Sequence, residues 1–254
     1  MQVTRWLSLA ATLALPARVT AQAPAYTAGV LERARFSETV GGTLQSTFAA
    51  ARRTETVGRD GILSVRAAPD SGGLVIEAWY DSLAVVREGP EGRFTPDAAG
   101  IVGGRYRGTL TPDGVYTSSV VPFVPAALRD IFDLSRLLLH FFPRLPPGPL
   151  APGADWTDAA GLTIWRLADS SAPGGPVRRY RWIRRAAWDE GVGSADSTVV
   201  VHRTEREDGT LRWSAAAGPV GWTRRIVAGV ELADGGGRSE LTQEVRVRRL
   251  PAAP

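Results

Sequence analysis

Apolar and polar residues alternate at period two through most of this chain. Residues 74–86 show it best: Leu74, Ile76, Ala78, Tyr80, Ala84 and Val86 fall on one face, with Glu77 and Asp81 opposite. Such alternation marks a half-buried strand. Comparable runs at 28–37, 43–57, 62–67, 104–110, 115–120, 161–167, 177–186, 197–206, 211–217, 225–233 and 238–250 predict further strands. Asp60-Gly61, Asp113-Gly114, Asp208-Gly209 and Asp234-Gly-Gly-Gly237 lie between these runs. They are expected to turn hairpins, because Asp and Gly tolerate the left-handed backbone of a tight turn.

One segment departs from this period. Across residues 125–142, Leu128, Ile131, Phe132, Ser135, Leu138, Leu139 and Phe142 recur at helical spacing, and Arg129, Asp133, Arg136 and His140 form the opposite stripe. Pro125 suits a first helical turn and Pro143 a stop, so the spacing predicts an amphipathic helix of about five turns. Five prolines between Pro143 and Pro152 then make a stiff extended strap. The expected fold is mainly β: a curved antiparallel sheet, an open or partial barrel, made of two meanders around one central amphipathic helix. The single β-rich domain, 24–254, divides into an N-terminal meander (24–124), the helix and strap (125–153) and a C-terminal meander (154–254).

Residues 1–23 stand apart. Arg5 precedes the apolar run Trp6-Leu-Ser-Leu-Ala-Ala-Thr-Leu-Ala-Leu15, and Pro16 and small residues lead to Ala21-Gln-Ala23. A basic start, a short apolar stretch and an A-x-A ending describe a secretory signal peptide. The apolar run is too short to span a bilayer, which takes about 20 residues. The expectation is therefore an exported, soluble chain, periplasmic or secreted, with no transmembrane segment once processed.

Composition removes whole classes of chemistry. There is no Lys, Asn or Cys, so every one of the 30 basic residues is an arginine. Lysine Schiff bases, phosphate-loop lysines, thiol nucleophiles, disulfides, cysteine-ligated metals and a lipidated N-terminal cysteine are all excluded. The isoelectric point near 10.1 overstates the basicity, because arginine does not titrate until very high pH. Loss of Arg5 and Arg18 with the leader leaves 28 basic against 26 acidic residues. That balance gives no global electrostatic case for nucleic acid or acidic membranes.

Candidate chemistry is sparse. His140 belongs to the polar stripe of the expected helix, and His202 follows Val199-Val-Val201 in an expected strand. No G-x-S-x-G elbow, zinc signature or calcium loop accompanies them, so no catalytic residue, metal or cofactor is expected. The strongest local anomaly is Arg178-Arg-Tyr-Arg-Trp-Ile-Arg-Arg185. As a strand it would place Arg178, Tyr180, Trp182 and Arg184 on one face and Arg179, Arg181, Ile183 and Arg185 on the other. Such a run either meets an anion or guards a sheet edge.

The β-meander, the central helix and the strap ending in Pro152-Gly-Ala-Asp-Trp156 resemble those of uncharacterised secreted or periplasmic bacterial β-rich proteins. More loosely, the layout is similar to LolA-like lipoprotein carriers. There an open barrel's apolar concave face is covered by helices and receives acyl chains; this chain differs in carrying a single helix. Together with the residues, the resemblance implies a non-enzymatic binding protein that holds a lipid or other apolar or amphiphilic envelope ligand under its central helix. Leu138, Leu139, Phe141 and Phe142 would line the apolar contact; Arg178, Tyr180, Arg181, Trp182 and Arg184 would meet an anionic headgroup. A structural or interaction protein with a solid core is the alternative, followed by a hydrolase. Oligomeric state is left open.

Overall fold

The computed structural model describes residues 23–125, 128, 134–172, 175–194 and 197–251; all of the expected leader but Ala23 lies outside them. A short helix, α1 (Ala28–Leu31), leads into β1 (Ala34–Phe48), β2 (Ala51–Asp70), β3 (Gly73–Gly89), β4 (Gly92–Phe94), β5 (Tyr106–Leu110) and β6 (Tyr116–Val120). A 3-10 helix (Leu134–Leu139) precedes β7 (Asp155–Thr157), β8 (Thr163–Ala172), β9 (Gly175–Ser194), β10 (Ser197–Ser214), β11 (Gly218–Leu232) and β12 (Gly237–Arg249). All twelve strands join one sheet in the order β6-β5-β3-β2-β1-β12-β11-β10-β9-β8-β7, with β4 beside the end of β3. Every pairing is antiparallel and the order does not return on itself, so the sheet stays open. The mainly β fold of two meanders expected from the alternation is what forms. The meanders meet where β1 pairs β12 from Phe36↔Arg249 to Phe48↔Gly237.

Local chemistry moves several boundaries. Residues 28–37 begin as α1, and Arg33, at φ 52°, redirects the chain into β1. The run at 43–57 is two strands. Ala49 and Ala50 turn it at φ 47° and 65°, the left-handed conformation of a two-residue hairpin, here without Asn or Gly. Asp113-Gly114 and Asp234-Gly-Gly-Gly237 do lie in turns, whereas Asp60-Gly61 and Asp208-Gly209 sit inside β2 and β10. There the glycines make room for rings. A Cβ on Gly61 would come within 2.8 Å of the Tyr80 ring, and one on Gly209 within 2.2 Å of Trp182.

A bulge also corrects the face assigned to β3. Ile62 pairs with Ser82 but Leu63 with Tyr80, so Asp81 is the extra residue. Its carboxylate accepts from Ser64 Oγ at 2.8 Å, Trp79 Nε1 at 2.9 Å and Arg35 Nε at 3.2 Å. The inward face therefore runs Leu74, Ile76, Ala78, Tyr80 and then Leu83 and Val85, not Ala84 and Val86. One added residue exchanges the faces of everything beyond it.

The five-turn helix expected at 125–142 falls partly on residues 126, 127 and 129–133, outside the described residues. What is described is Leu128, which is α-helical and donates to the Pro125 carbonyl at 3.0 Å, and a six-residue 3-10 helix after it. Its three-residue repeat aligns Leu134 with Leu137 and Leu138 with Phe141, which suits the crowded apolar run better than an α-helical stripe. This segment and α1 cover one end of the inward face. Phe141 packs edge-on against Phe36 and Trp222, and Phe142 against Tyr26, at centroid separations of 5.0–5.6 Å. Tyr26 Oη donates to the Pro143 carbonyl at 2.9 Å, tying the strap to the N-terminal end of the fold.

The glycines under rings make a test. Gly209→Ala forces the Trp182 ring to move and should destabilise by about 1–3 kcal/mol, as overpacked cores do. Gly41→Ala, with nothing within 4 Å of its Cβ position, should stay within about 0.5 kcal/mol of wild type. Denaturant midpoints of the two variants check the contrast.

Candidate functional site

Strand parity places charged groups where the alternation leads one to expect apolar ones. On β1 the inward positions are Phe36, Glu38 and Val40; on β2 they include Arg59, and on β3 Tyr80. Arg59 meets Glu38 two-pronged, Nη2 to Oε1 at 2.8 Å and Nε to Oε2 at 3.1 Å, and Tyr80 Oη donates to Glu38 Oε2 at 2.7 Å. Glu38 is 3 % exposed and Arg59 7 %. Burial works to lower the Arg59 pKa, but Glu38 and Tyr80 beside it hold it above the ordinary arginine value.

Across β12 a second charged group faces the first. Arg224 projects from β11, Glu205 and Glu207 from β10, and Trp182 and Arg184 from β9, by the same parity. Trp182 Nε1 donates to Glu207 Oε1 at 3.0 Å, and Arg184 pairs with Glu205. Arg224 Nη1 donates to the His140 carbonyl at 2.5 Å and lies 3.9 Å from Glu207 Oε1, while its Nε is buried with no hydrogen-bond partner. Burial lowers the Arg224 pKa. Burial, and then the Arg224 charge, push the His140 imidazole below its usual value.

Two cavities, of about 130 and 90 Å³, share Arg224, Glu207, His140 and Trp222. The larger also reaches Glu38, Arg59, Arg136 and Glu205, the smaller Arg184. The cavity walls carry five guanidiniums (Arg59, Arg136, Arg144, Arg184, Arg224) and three carboxylates (Glu38, Glu205, Glu207), and Arg144 pairs instead with Asp113 at 2.8 Å. Arg224 is held loosely: among the described residues the carboxylate within ion-pair reach of it is Glu207, at 3.9 Å. A space of this size admits several waters or one small anionic group.

Beyond the belt, towards the Phe48 end of the strands, the inward face stays apolar but is less covered. Leu44, Leu241, Ile226, Ala228, Val230 and Leu232 are half-buried, and Phe48 and Trp188 are 51 % and 43 % exposed. Charged pairs flank this stretch: Glu55 with Arg87 and Arg53 on one side, Arg203 with Glu190 on the other. Arg87, with Arg53, outweighs burial and holds Glu55 below the usual carboxylate range.

The residues expected to bind a ligand separate. Leu138, Phe141 and Phe142 are buried in the core and Leu139 lies half out beside the smaller cavity. Tyr180 and Trp182 face inward, Tyr180 beneath the Arg166 guanidinium, and Arg184 joins the belt. Arg178 is half-buried, whereas Arg181 lies on the opposite, outer face and is exposed. Arg181 and Arg184 therefore cannot meet one headgroup. Glu38, Arg59, Glu205, Glu207 and Arg224 were not anticipated; the signal available was a charge at an inward position, as with Glu38 between Phe36 and Val40. The two histidines lie apart, His202 on the outer face at 2.9 Å from Asp189. Among the described residues no cluster of His, Cys, Asp or Glu is arranged to hold a metal ion. Nor is any helix there long and apolar enough to cross a membrane.

Neither a family model nor a curated protein matches the chain. Among solved structures, the attachment invasion locus protein Ail of Yersinia pestis aligns with 86 % of this chain and 99 % of its own. Identity is 6 % and the TM-score 0.18. A likeness that slight assigns neither fold nor function.

Two measurements probe the belt. Arg59→Leu strands the Glu38 carboxylate and should destabilise by about 3–5 kcal/mol, whereas Arg59→Leu with Glu38→Leu should recover most of that loss. Denaturant unfolding of the single and double variants decides it. Glu55, held low in the folded chain, adds stability that is fully present above the ordinary carboxylate pKa. That stability is lost as pH falls through the lowered value. Glu55→Gln should flatten the melting midpoint across that acid window relative to wild type.

Proposed function

We propose that this is an exported, non-catalytic protein that binds an anionic amphiphile on the inward face of its sheet. The carrying observation is one of continuity: a partly buried belt in which Arg224 meets its carboxylate only at 3.9 Å and leaves Nε without a hydrogen-bond partner adjoins a half-buried apolar stretch, Ile226, Leu241, Leu44 and Leu232. A headgroup carboxylate or phosphate at Arg224 would give this guanidinium a close counter-charge where water reaches it poorly. An apolar chain along the stretch would remove half-exposed surface from water at about 25 cal/mol per Å². The signal-peptide pattern at 1–23 supports export, and the loose likeness to LolA-like carriers read from the sequence would imply the same class of ligand. Relative to the first expectation, the ligand moves from under the helix to beyond it, since Leu138, Phe141 and Phe142 are already packed.

A solid-core interaction protein is the second reading, favoured by the small size of both cavities. Titration with a long-chain fatty acid and with the matching alcohol, read by tryptophan fluorescence, separates the two. The fatty acid should bind more tightly than the alcohol, and Arg224→Gln should weaken it about tenfold to a hundredfold, the range for a bond to a charged group, while leaving the alcohol unaffected. Leu241→Asp should weaken both. No saturable binding of either probe by wild type would leave the solid-core reading standing.

A further inference from the structure

The outer face carries a second, independent feature. Register places Arg179 opposite Arg212, Arg212 opposite Gly221, and Gly221 opposite Arg248. In the next outward row Arg181 lies opposite Thr210, Thr210 opposite Thr223, and Thr223 opposite Arg246. All five arginines are exposed. Arg179, Arg181, Arg212 and Arg248 have no carboxylate partner among the described residues, and Arg246 has Glu244 only at 3.6 Å. Between them Gly221 projects no side chain, and the Thr210 and Thr223 hydroxyls bond to each other at 2.9 Å. A groove of about 440 Å³ lies at Gly221, Thr210 and Thr223 and is lined by three of the five, Arg212, Arg246 and Arg248.

Like charges on adjacent strands repel, and among the described residues the acid within ion-pair reach of the five is Glu244, at 3.6 Å from Arg246. Arginines in a chain with a net charge of only +4 have ample carboxylates to pair with, and several elsewhere do: Arg35, Arg87, Arg107, Arg144 and Arg203 all meet acids. The cluster spreads over strands β9 to β12, about 14 Å across at the usual strand spacing, and two rows about 7 Å apart. It is a two-dimensional array and does not converge on one point. We infer that this outer face docks on a lipid bilayer surface bearing anionic phosphate headgroups. Guanidinium forks match phosphate oxygens, and the array can meet several headgroups at once. The inference does not depend on the inward face binding anything.

Sedimentation of the full chain with phosphatidylcholine vesicles, with and without phosphatidylglycerol, tests it. The neutral vesicles read whatever the apolar run Trp6 to Leu15 contributes. Wild type should bind the anionic vesicles far better, and salt should abolish that excess. Arg212→Gln with Arg248→Gln should reduce the excess roughly thirtyfold, from the usual gain per basic residue near an anionic surface. Arg52→Gln with Arg93→Gln, the same charge change at the far end of β2 and on β4, should leave most of it. Melting curves should show both variants folded; Arg248→Gln alone supplies a milder change, with roughly a fivefold loss expected. Equal losses from the two double variants would overturn the assignment by reducing it to net charge. So would vesicle binding indifferent to phosphatidylglycerol. Binding of inorganic tripolyphosphate without binding of anionic vesicles would overturn the membrane and leave a soluble phosphate in its place.

Discussion

The pairing of β1 with β12 decides where every inward-facing group can sit. These strands come from opposite ends of the chain, and their register, Glu38 opposite Val247 and Val40 opposite Val245, joins two meanders that would otherwise be separate sheets. A slip of one residue would carry Phe36, Glu38 and Val40 to the outer face and bring Ser37 and Thr39 in. The belt would then lose its first acid, and Phe141 its partner ring. Contacts so distant in sequence are the slowest kind to form, because the intervening chain must first be ordered. The hairpins within each meander can assemble locally, but the inward face exists as a single surface only after the ends have met.

That surface carries charge where apolar packing alone would stabilise it as well or better. Replacing a buried ion pair by hydrophobic residues of similar volume is often neutral or favourable, so Glu38 and Arg59 are not needed for burial as such. Their geometry gives them another consequence. A two-pronged pair with Tyr80 on the same carboxylate penalises any register that leaves one partner without the others. It fixes β1, β2 and β3 relative to one another. Arg224 is different: its bonds go to a backbone carbonyl and, loosely, to Glu207. The first cluster is closed and fits a structural role. The second leaves Arg224 without a close carboxylate and so does less to hold the register.

Much of this was legible in the residues. Period-two alternation marked most strands, and the two faces read from Arg178 to Arg185 are the faces adopted, with Tyr180 and Trp182 in and Arg179, Arg181 and Arg185 out. What failed has physical causes. Asp-Gly reads as a turn, yet Gly61 and Gly209 are glycines because Tyr80 and Trp182 lie across them, a relation between strands that no local pattern records. The turn at Ala49-Ala50 carries no turn residue. The bulge at Asp81 depends on three donors from two strands and one neighbouring side chain. The belt was missed because a lone charge on an apolar face looks like an interruption until its partner, about 20 residues away in the case of Glu38 and Arg59, is known to lie opposite.

Because every base is an arginine, each faces the same two options, and parity chooses between them. An inward guanidinium must find acceptors or remain uncompensated in a medium of low polarity, so inward arginines gather carboxylates, carbonyls and rings: Arg59 with Glu38, Arg184 with Glu205, Arg166 over Tyr180. An outward guanidinium is hydrated and needs no partner, so pairing there is worth little and its absence goes unpunished by stability. Outer-face arrangement is therefore free to answer to something other than folding. Five arginines around Gly221 repel one another, which stability would have opposed if only weakly, and arginine cannot shed its charge at any accessible pH. A persistent repulsive array on the face where folding asks least is where an external anion would leave its mark on the chain.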